Sequence, residues 1–144
     1  MTKISMLKLS LFAAVLALAS TSTLNAQVMD GQARIQVPFA FQVGTEHFAP
    51  GTYTIGMLNG FTLNVRGFGN AALAAMKTDA NGNTAARSKV VFRQAGGQYF
   101  LREVWAAGST DHLVAVETKA EKQAQKLEAA NRTSAPAVEI ALAK

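Results

Sequence analysis

Ala33-Arg34-Ile35-Gln36-Val37-Pro38-Phe39-Ala40-Phe41-Gln42-Val43 carries an apolar residue at every odd position for eleven residues. A period of two is the pattern of a half-buried β-strand, whose successive side chains point to opposite faces. The odd face holds Phe39, Phe41, Ile35, Val37 and Val43, the largest apolar face in the chain. The stretch therefore predicts one long strand against which later strands assemble. Pro38 falls on the outward register and has no N–H for a central ladder, so the strand lies at a sheet edge there or carries a bulge.

Gly44 to Glu46 ends that strand. In Ala49-Pro50-Gly51-Thr52, Pro at the second position and Gly at the third fit a type II turn. Tyr53, Ile55 and Met57 then alternate with Thr52, Thr54 and Gly56, which predicts a second strand. Asn59-Gly60 is a strong hairpin signal, and Phe61, Leu63 and Val65 beyond it alternate against Thr62, Asn64 and Arg66. Gly67 to Asn70 breaks the pattern. Over Ala71 to Lys77 the alanines favour a helix, whereas the short length between turn signals favours a strand; a fourth strand is the reading adopted. Asp79 to Asn83 reads as a turn. Ser88 to Gln94 and Gln98 to Ala106 form a hairpin about Gly96-Gly97, which sets Phe92 opposite Leu101, Val91 opposite Arg102 and Gln94 opposite Tyr99. One face would then hold Val90, Phe92, Tyr99, Leu101 and Trp105.

From Gly108 the composition changes. Thr118-Lys119-Ala120-Glu121 has the form of a capping box, in which hydroxyl and carboxylate satisfy free N–H groups at a helix start. The helix should run to about Ala130, with a small apolar stripe of Ala120, Ala124 and Leu127 that buries little area. Beyond Thr133, the alternation of Val138, Ile140 and Leu142 could form a short final strand or belong to a loose tail.

Length and composition bound the class. The 144 residues are 49% hydrophobic and carry +5, which fits one globular domain rather than a disordered tail. Lys3 and Lys8 precede an apolar run from Leu9 to Ala19 interrupted only by Ser10, and Leu24-Asn25-Ala26 stands before Gln27. This predicts a secretory signal peptide over residues 1–26. A membrane anchor is the weaker alternative, because spanning needs about 20 apolar residues and this run is about half that. Without residues 1–26, and so without Lys3 and Lys8 of the 14 basic side chains, 118 residues remain with 12 basic and 9 acidic groups, a net +3. There is no cysteine, so stability must come from a hydrophobic core, and thiol catalysis and cysteine-built zinc sites are excluded. The expected layout is a signal peptide over 1–26, a β-domain over 27–116, and a C-terminal helix and tail over 117–144. The expected fold is mainly β, a small antiparallel sandwich or barrel of five to seven strands between Arg34 and Ala106, with the helix following. Phe39, Phe41, Tyr53, Ile55, Phe92, Leu101 and Trp105 should be buried together.

Two motifs carry a resemblance. Val37-Pro38-Phe39-Ala40-Phe41-Gln42-Val43-Gly44 followed by Ala49-Pro50-Gly51-Thr52-Tyr53, and the later Lys89-Val90-Val91-Phe92 with Gln98-Tyr99-Phe100-Leu101 and Trp105, resemble a group of uncharacterised small exported β-proteins of acidobacterial type. The resemblance covers roughly Arg34 to Lys126 and departs at Pro50-Gly51, where the group's pattern has an extra residue. It implies export and a β fold, and it implies no activity.

The residues offer little chemistry. His47 and His112 lie far apart in predicted loops without a third ligand beside either, and they read as surface residues rather than a metal pair or catalytic base. Ser88, Ser109 and Ser134 lack a nucleophile-elbow context, no strand-to-helix phosphate loop is present, and Gly67-Phe68-Gly69 reads as a turn or bulge. Glu103 falls by alternation between Leu101 and Trp105 on the apolar face; a sheet rim or a bulge that turns it outward is favoured over a tuned carboxylate. No catalytic residue, cofactor or metal ligand is assigned.

The favoured class is a non-enzymatic exported β-domain that binds or supports something at the envelope, whether periplasmic, on the cell surface or extracellular. A sandwich or barrel that holds an apolar ligand among Phe39, Phe41, Tyr53, Phe92 and Trp105 is the alternative, and a hydrolase using His47, His112 or Glu103 ranks below it. An outer-membrane barrel is disfavoured, since eight strands of about 9 to 11 residues would consume most of the processed chain. After processing no segment is apolar enough to span a bilayer. The hairpin register sets Lys89, Arg93 and Arg102 on one face with Val91, Phe100 and Val104, and Arg66 joins them if its strand lies alongside. Such a face suits an acidic envelope polymer or protein patch, though a solvated sheet face explains it more simply. Nucleic acid is the poorer acidic partner at a net +3.

Overall fold

Pro38 divides the organising stretch in two. In the computed structural model, which describes residues 32–80, 83–131 and 136–143, the expected single strand is β1 (Ala33–Val37) and β2 (Phe41–Val43), with a bend at residues 38–39. The break follows from the missing N–H of proline. On its two sides the chain serves different partners. β1 pairs antiparallel with β4 (Gly51–Asn59), whereas β2 pairs antiparallel with β3 (Glu46–Phe48) and runs parallel to β8 (Gln98–Trp105). The expected signal peptide over residues 1–26 lies outside the described residues.

The remaining strands are β5 (Thr62–Arg66), β6 (Ala71–Ala80), β7 (Lys89–Ala95), β9 (Asp111–Ala115) and β10 (Ala137–Ala141), with α1 (Lys119–Asn131) before β10. β1, β4, β5 and the first half of β6 form one half of the sheet, and the second half of β6 continues into β9, β8, β7 and β10. The molecule is thus mainly β with a C-terminal helix, as expected, and its large mixed sheet is not a closed barrel. Among the described residues eight strands, not five to seven, lie between Arg34 and Ala106, because Pro38 splits one and Glu46–Phe48 adds another. The parallel pairing of β2 with β8 also departs from the all-antiparallel expectation.

The strand reading of Ala71 to Lys77 holds: Ala72, Ala74 and Met76 are buried while their neighbours are exposed, a period of two that outweighs alanine's helix preference. Asp79 and Ala80 belong to this strand, paired with His112 and Asp111, and not to the expected turn. Gly51 begins β4 opposite Val37 and is absent from the positive-φ glycines, so the expected type II turn does not form. The Asn59-Gly60 hairpin does form, and the Asn59 carboxamide oxygen accepts the Phe61 N–H at 3.1 Å.

Aromatic rings fill the core. Phe41 is the hub, 5.1 Å from Phe48, 5.1 Å from Tyr53 and 5.2 Å from Phe92 between ring centroids. Ile35, Val37, Ile55, Leu63, Val65, Val90 and Leu101 surround it. Phe39, expected inside, is only partly buried and stacks on Tyr99 at 4.0 Å, because the bend at Pro38 carries it to the margin.

The second hairpin keeps part of its expected register. Phe92 faces Leu101 and Gln94 faces Tyr99, but Val91 faces Glu103, which leaves Arg102 as an extra residue in β8. Such a bulge reverses the alternation beyond it. Tyr99, Leu101 and Val104 pack toward the main core, and Trp105 turns to the other face, where it forms a small cluster with Val91 and Ala85. The expected face of Val90, Phe92, Tyr99, Leu101 and Trp105 therefore loses Trp105.

Thr118 caps α1, its Oγ1 accepting the Glu121 N–H at 3.2 Å. The expected stripe is not the docked face. Ala120 and Leu127 are exposed, while Glu121 is buried, Ala124 meets Gly96, and Glu128 accepts the Gly96 N–H at 3.0 Å. β10 pairs along the outer edge of β7 from Ala137 opposite Arg93 to Ala141 opposite Lys89, so the C-terminal alternation is a strand of the same sheet.

Candidate functional site

The five candidate contact residues are distributed by the topology. Arg66 ends β5 between β4 and β6 and does not reach β7 or β8. Lys89, Arg93, Phe100 and Arg102 share the hairpin of β7 and β8, but much of their charge is met from within the chain. Lys89 Nζ is 2.7 Å from Glu139 Oε1 of β10 and lies 5.4 Å from the Trp105 ring centroid. Arg102 donates from Nη1 to the Ala115 carbonyl at 2.9 Å and to Glu121 Oε2 at 3.3 Å, and its Nη2 is 3.5 Å from Glu117 Oε1. Phe100 is buried, and Arg93 is exposed. Much of the basic face predicted from the hairpin is thus engaged by Glu117, Glu121 and Glu139.

Arg102 occupies a fork. The edge of β8 pairs with β2 at Tyr99 and Phe100 and with β9 from Glu103 to Trp105, while β9 continues along β6. Between β2, β6 and the start of α1 lies a cavity of about 220 Å³, lined by Gln42, Leu73, Ala74, Phe100, Val116 and Glu121 among others. Its walls are mostly apolar, with Leu73 and Val116 exposed. Glu121 is 3% exposed, and although Arg102 engages Oε2, Oε1 has no hydrogen-bond partner. Burial pushes this carboxyl above the usual carboxylate range; Arg102 opposes the shift and Glu117 adds to it. A carboxylate oxygen without a donor in such a place is costly, on the order of 1–3 kcal/mol.

A second cavity of about 250 Å³ lies beside β2 and β3 among Ala40, His47, Gly97, Gln98 and Tyr99. At its wall Gln42 Nε2 donates to Gln98 Oε1 at 2.6 Å.

On the opposite side of the bulge, His112 corrects the expectation of a surface loop residue. It lies in β9, is 5% exposed, and stacks on Trp105 at 3.9 Å with the planes 2° apart. Its Nε2 is 3.9 Å from both Asp79 Oδ2 and Glu103 Oε2, and Glu103 Oε2 accepts the Trp105 indole N–H at 2.7 Å. Glu103 thus sits on the outer face beside the bulge, as the favoured reading had it. His47, the other histidine, is exposed in β3 rather than in a loop. Among the described residues, no group of three or more His, Asp and Glu side chains is placed to hold a metal ion.

Sequence reasoning missed Glu117, Glu121 and Gln42. Glu121 was visible only as the acidic member of the capping box, and Glu117, which precedes the helix, carried no signal of its own. No family model, curated protein or solved structure matches this chain.

Proposed function

We propose that this chain is an exported, non-enzymatic binding domain of the cell envelope that takes its ligand in the cavity between β2, β6 and the start of α1. One observation carries the binding half: a mostly apolar cavity stands open between these elements, with the buried Glu121 among its lining residues. The export half draws support from the leader pattern of residues 1–26 and from the resemblance to small exported β-proteins. No helix among the described residues is long and apolar enough to cross a membrane. A ligand held among the core aromatics is less well supported, since Phe41, Phe48, Tyr53 and Phe92 pack on one another and Trp105 lies on the other face. A hydrolase is also poorly supported, since Glu103 is bonded to the Trp105 indole and His112 is covered by its ring.

Native mass spectrometry of the protein purified from its own host tests both halves. The expected mass corresponds to a chain starting at or near Gln27 with a small molecule retained. A chain that keeps Met1 overturns the export reading, and a ligand-free mass that stays unchanged after exposure to host extract overturns the binding reading.

A further inference from the structure

We infer that the outward face of α1 is a docking surface for an acidic polysaccharide, a linear polymer that carries a carboxylate on each sugar. The helix separates its charges. Glu121 is buried, Glu128 accepts the Gly96 N–H at 3.0 Å, and Glu117, just before the helix, pairs with Arg102 at 3.5 Å and accepts from Gln125 at 3.3 Å. Arg102 and Arg93 both act on Glu121, so the acids of this region are answered from within the fold. Lys119, Lys122 and Lys126 are exposed, and among the described residues none of them has an ion pair or a side-chain hydrogen bond. Their face is turned away from the cavity lined by Thr118 and Glu121.

Helix geometry sets the row of lysines. At about 3.6 residues per turn they fall within about 60° of the circumference, at steps of about 4.5 and 6 Å along the axis. Each neighbour in the row is a like charge three or four residues away, which weakens a helix. Lys119 also stands in the first turn, where the helix dipole disfavours a cation, and the last turn holds no basic residue. A polyanion laid along the axis relieves both costs, since its carboxylates recur at close to the pitch of the helix. Lysine suits such a partner, because its ammonium is a point charge on a flexible stem and demands no fixed bidentate geometry. Leu127, exposed beside the row, offers the C–H groups of a sugar ring a surface to cover. A nucleic-acid strand fits less well, because α1 has no aromatic ring on which bases could stack. A lipid surface also fits less well, because Leu127 is the only large apolar side chain of the helix.

Calorimetric titration of the full chain with polygalacturonate in about 0.01 M salt, where the screening length is about 30 Å, tests this. Neutral dextran, phosphatidylglycerol vesicles and an oligothymidylate are the comparison ligands. Polygalacturonate should bind at least about tenfold more tightly than any of the three, and its affinity should fall as salt rises. Lys119→Gln, Lys122→Gln and Lys126→Gln together should weaken binding by about tenfold or more at an unaltered melting temperature, since glutamine and lysine are similar helix formers. Arg34→Gln, Lys77→Gln and Arg87→Gln together remove the same charge from other exposed positions, and should leave binding within about twofold of the wild type. Equal losses in the two triple variants would show that net charge and not α1 attracts the polymer, and would overturn the site. Equal or tighter binding to the vesicles or to the oligothymidylate overturns the polysaccharide assignment. Wild type that does not bind polygalacturonate, or binds it regardless of salt, overturns the docking surface itself. Should the helix variant melt lower, the salt series and the comparison ligands still decide with the wild type alone.

Discussion

Arg102 and Glu121 meet at 3.3 Å, and that contact ties the extra residue of the β8 bulge to the first turn of α1. Arg102 is also fixed by the Ala115 carbonyl at 2.9 Å, so one guanidinium spans β8, the end of β9 and the helix. Removing it leaves a buried carboxylate with neither oxygen engaged. Arg102→Gln should therefore cost about 3 kcal/mol, the scale for breaking a buried pair. Lys89→Gln, whose partner Glu139 is largely exposed, should cost less than about 1 kcal/mol. Urea denaturation of the two variants checks the contrast; equal losses would show that the helix is held by something else.

Glu121 should also write itself into the pH dependence of stability. Burial raises its carboxyl in the folded state, with Glu117 adding to the shift and Arg102 and Arg93 opposing it. The folded protein then holds this proton more tightly than the unfolded chain. Its contribution to stability is greatest below the ordinary carboxylate pKa and declines as pH rises through the interval up to the raised folded value. The stability of the wild type minus that of Glu121→Gln, measured by denaturation across pH, should fall over that interval and level off above it. A difference that rises instead would reverse the sign.

Phe41 should be the most sensitive core position. It is 2% exposed and touches the rings of Phe48, Tyr53 and Phe92, so truncation to Ala should cost about 3–5 kcal/mol. Phe39, only partly buried at the margin, should cost less when cut to Ala. Thermal or urea unfolding ranks the two, and a larger loss at Phe39 would mean that Phe39 and not Phe41 stands at the centre of the core.

Gly67 is fixed by a neighbour rather than by its backbone. A Cβ there would stand 2.4 Å from the Tyr53 ring and 2.8 Å from Asn70 Oδ1, and the Tyr53 hydroxyl donates to the Ala49 carbonyl, which limits how far the ring can give. Gly67→Ala should lose about 1–3 kcal/mol as an overpacked site. Gly69→Ala meets open space but sits at φ +85°, a conformation costing about 1–2 kcal/mol for a residue with a Cβ. Phe68, between them, is fully exposed, and Phe68→Ser should leave the melting temperature unchanged.

The strand pattern was legible because burial on one face writes a period of two directly into residues such as Ile35, Val37, Tyr53 and Ile55. Pro38 announced an interruption, although not that the chain would change partners across it. The bulge at Arg102 could not be read, because a single extra residue leaves local composition unaltered while reversing every side chain beyond it. For the same reason Trp105 was placed in the main core and Lys89, Arg93 and Arg102 were grouped as an open basic face. The helix misled for a different reason. Its apolar stripe suggested the docked side, but an arginine at the fork of β8 and β9 draws the acidic side down, and that arginine is distant in sequence. The candidate cavity exists only where these two non-local features meet.

The first described strand is fastened by the last residues of the chain. Ala143 donates its N–H to the Arg34 carbonyl at 3.2 Å and Leu142 donates to that of Ser88 at 3.0 Å, directly after β10 has covered the edge of β7. A polypeptide synthesised from its N-terminus presents β1 about a hundred residues before its clasp arrives. Until residue 143 is free, the β7 edge stays open and the sheet incomplete. The β7 edge is therefore covered only by a strand that lies more than forty residues further along the chain.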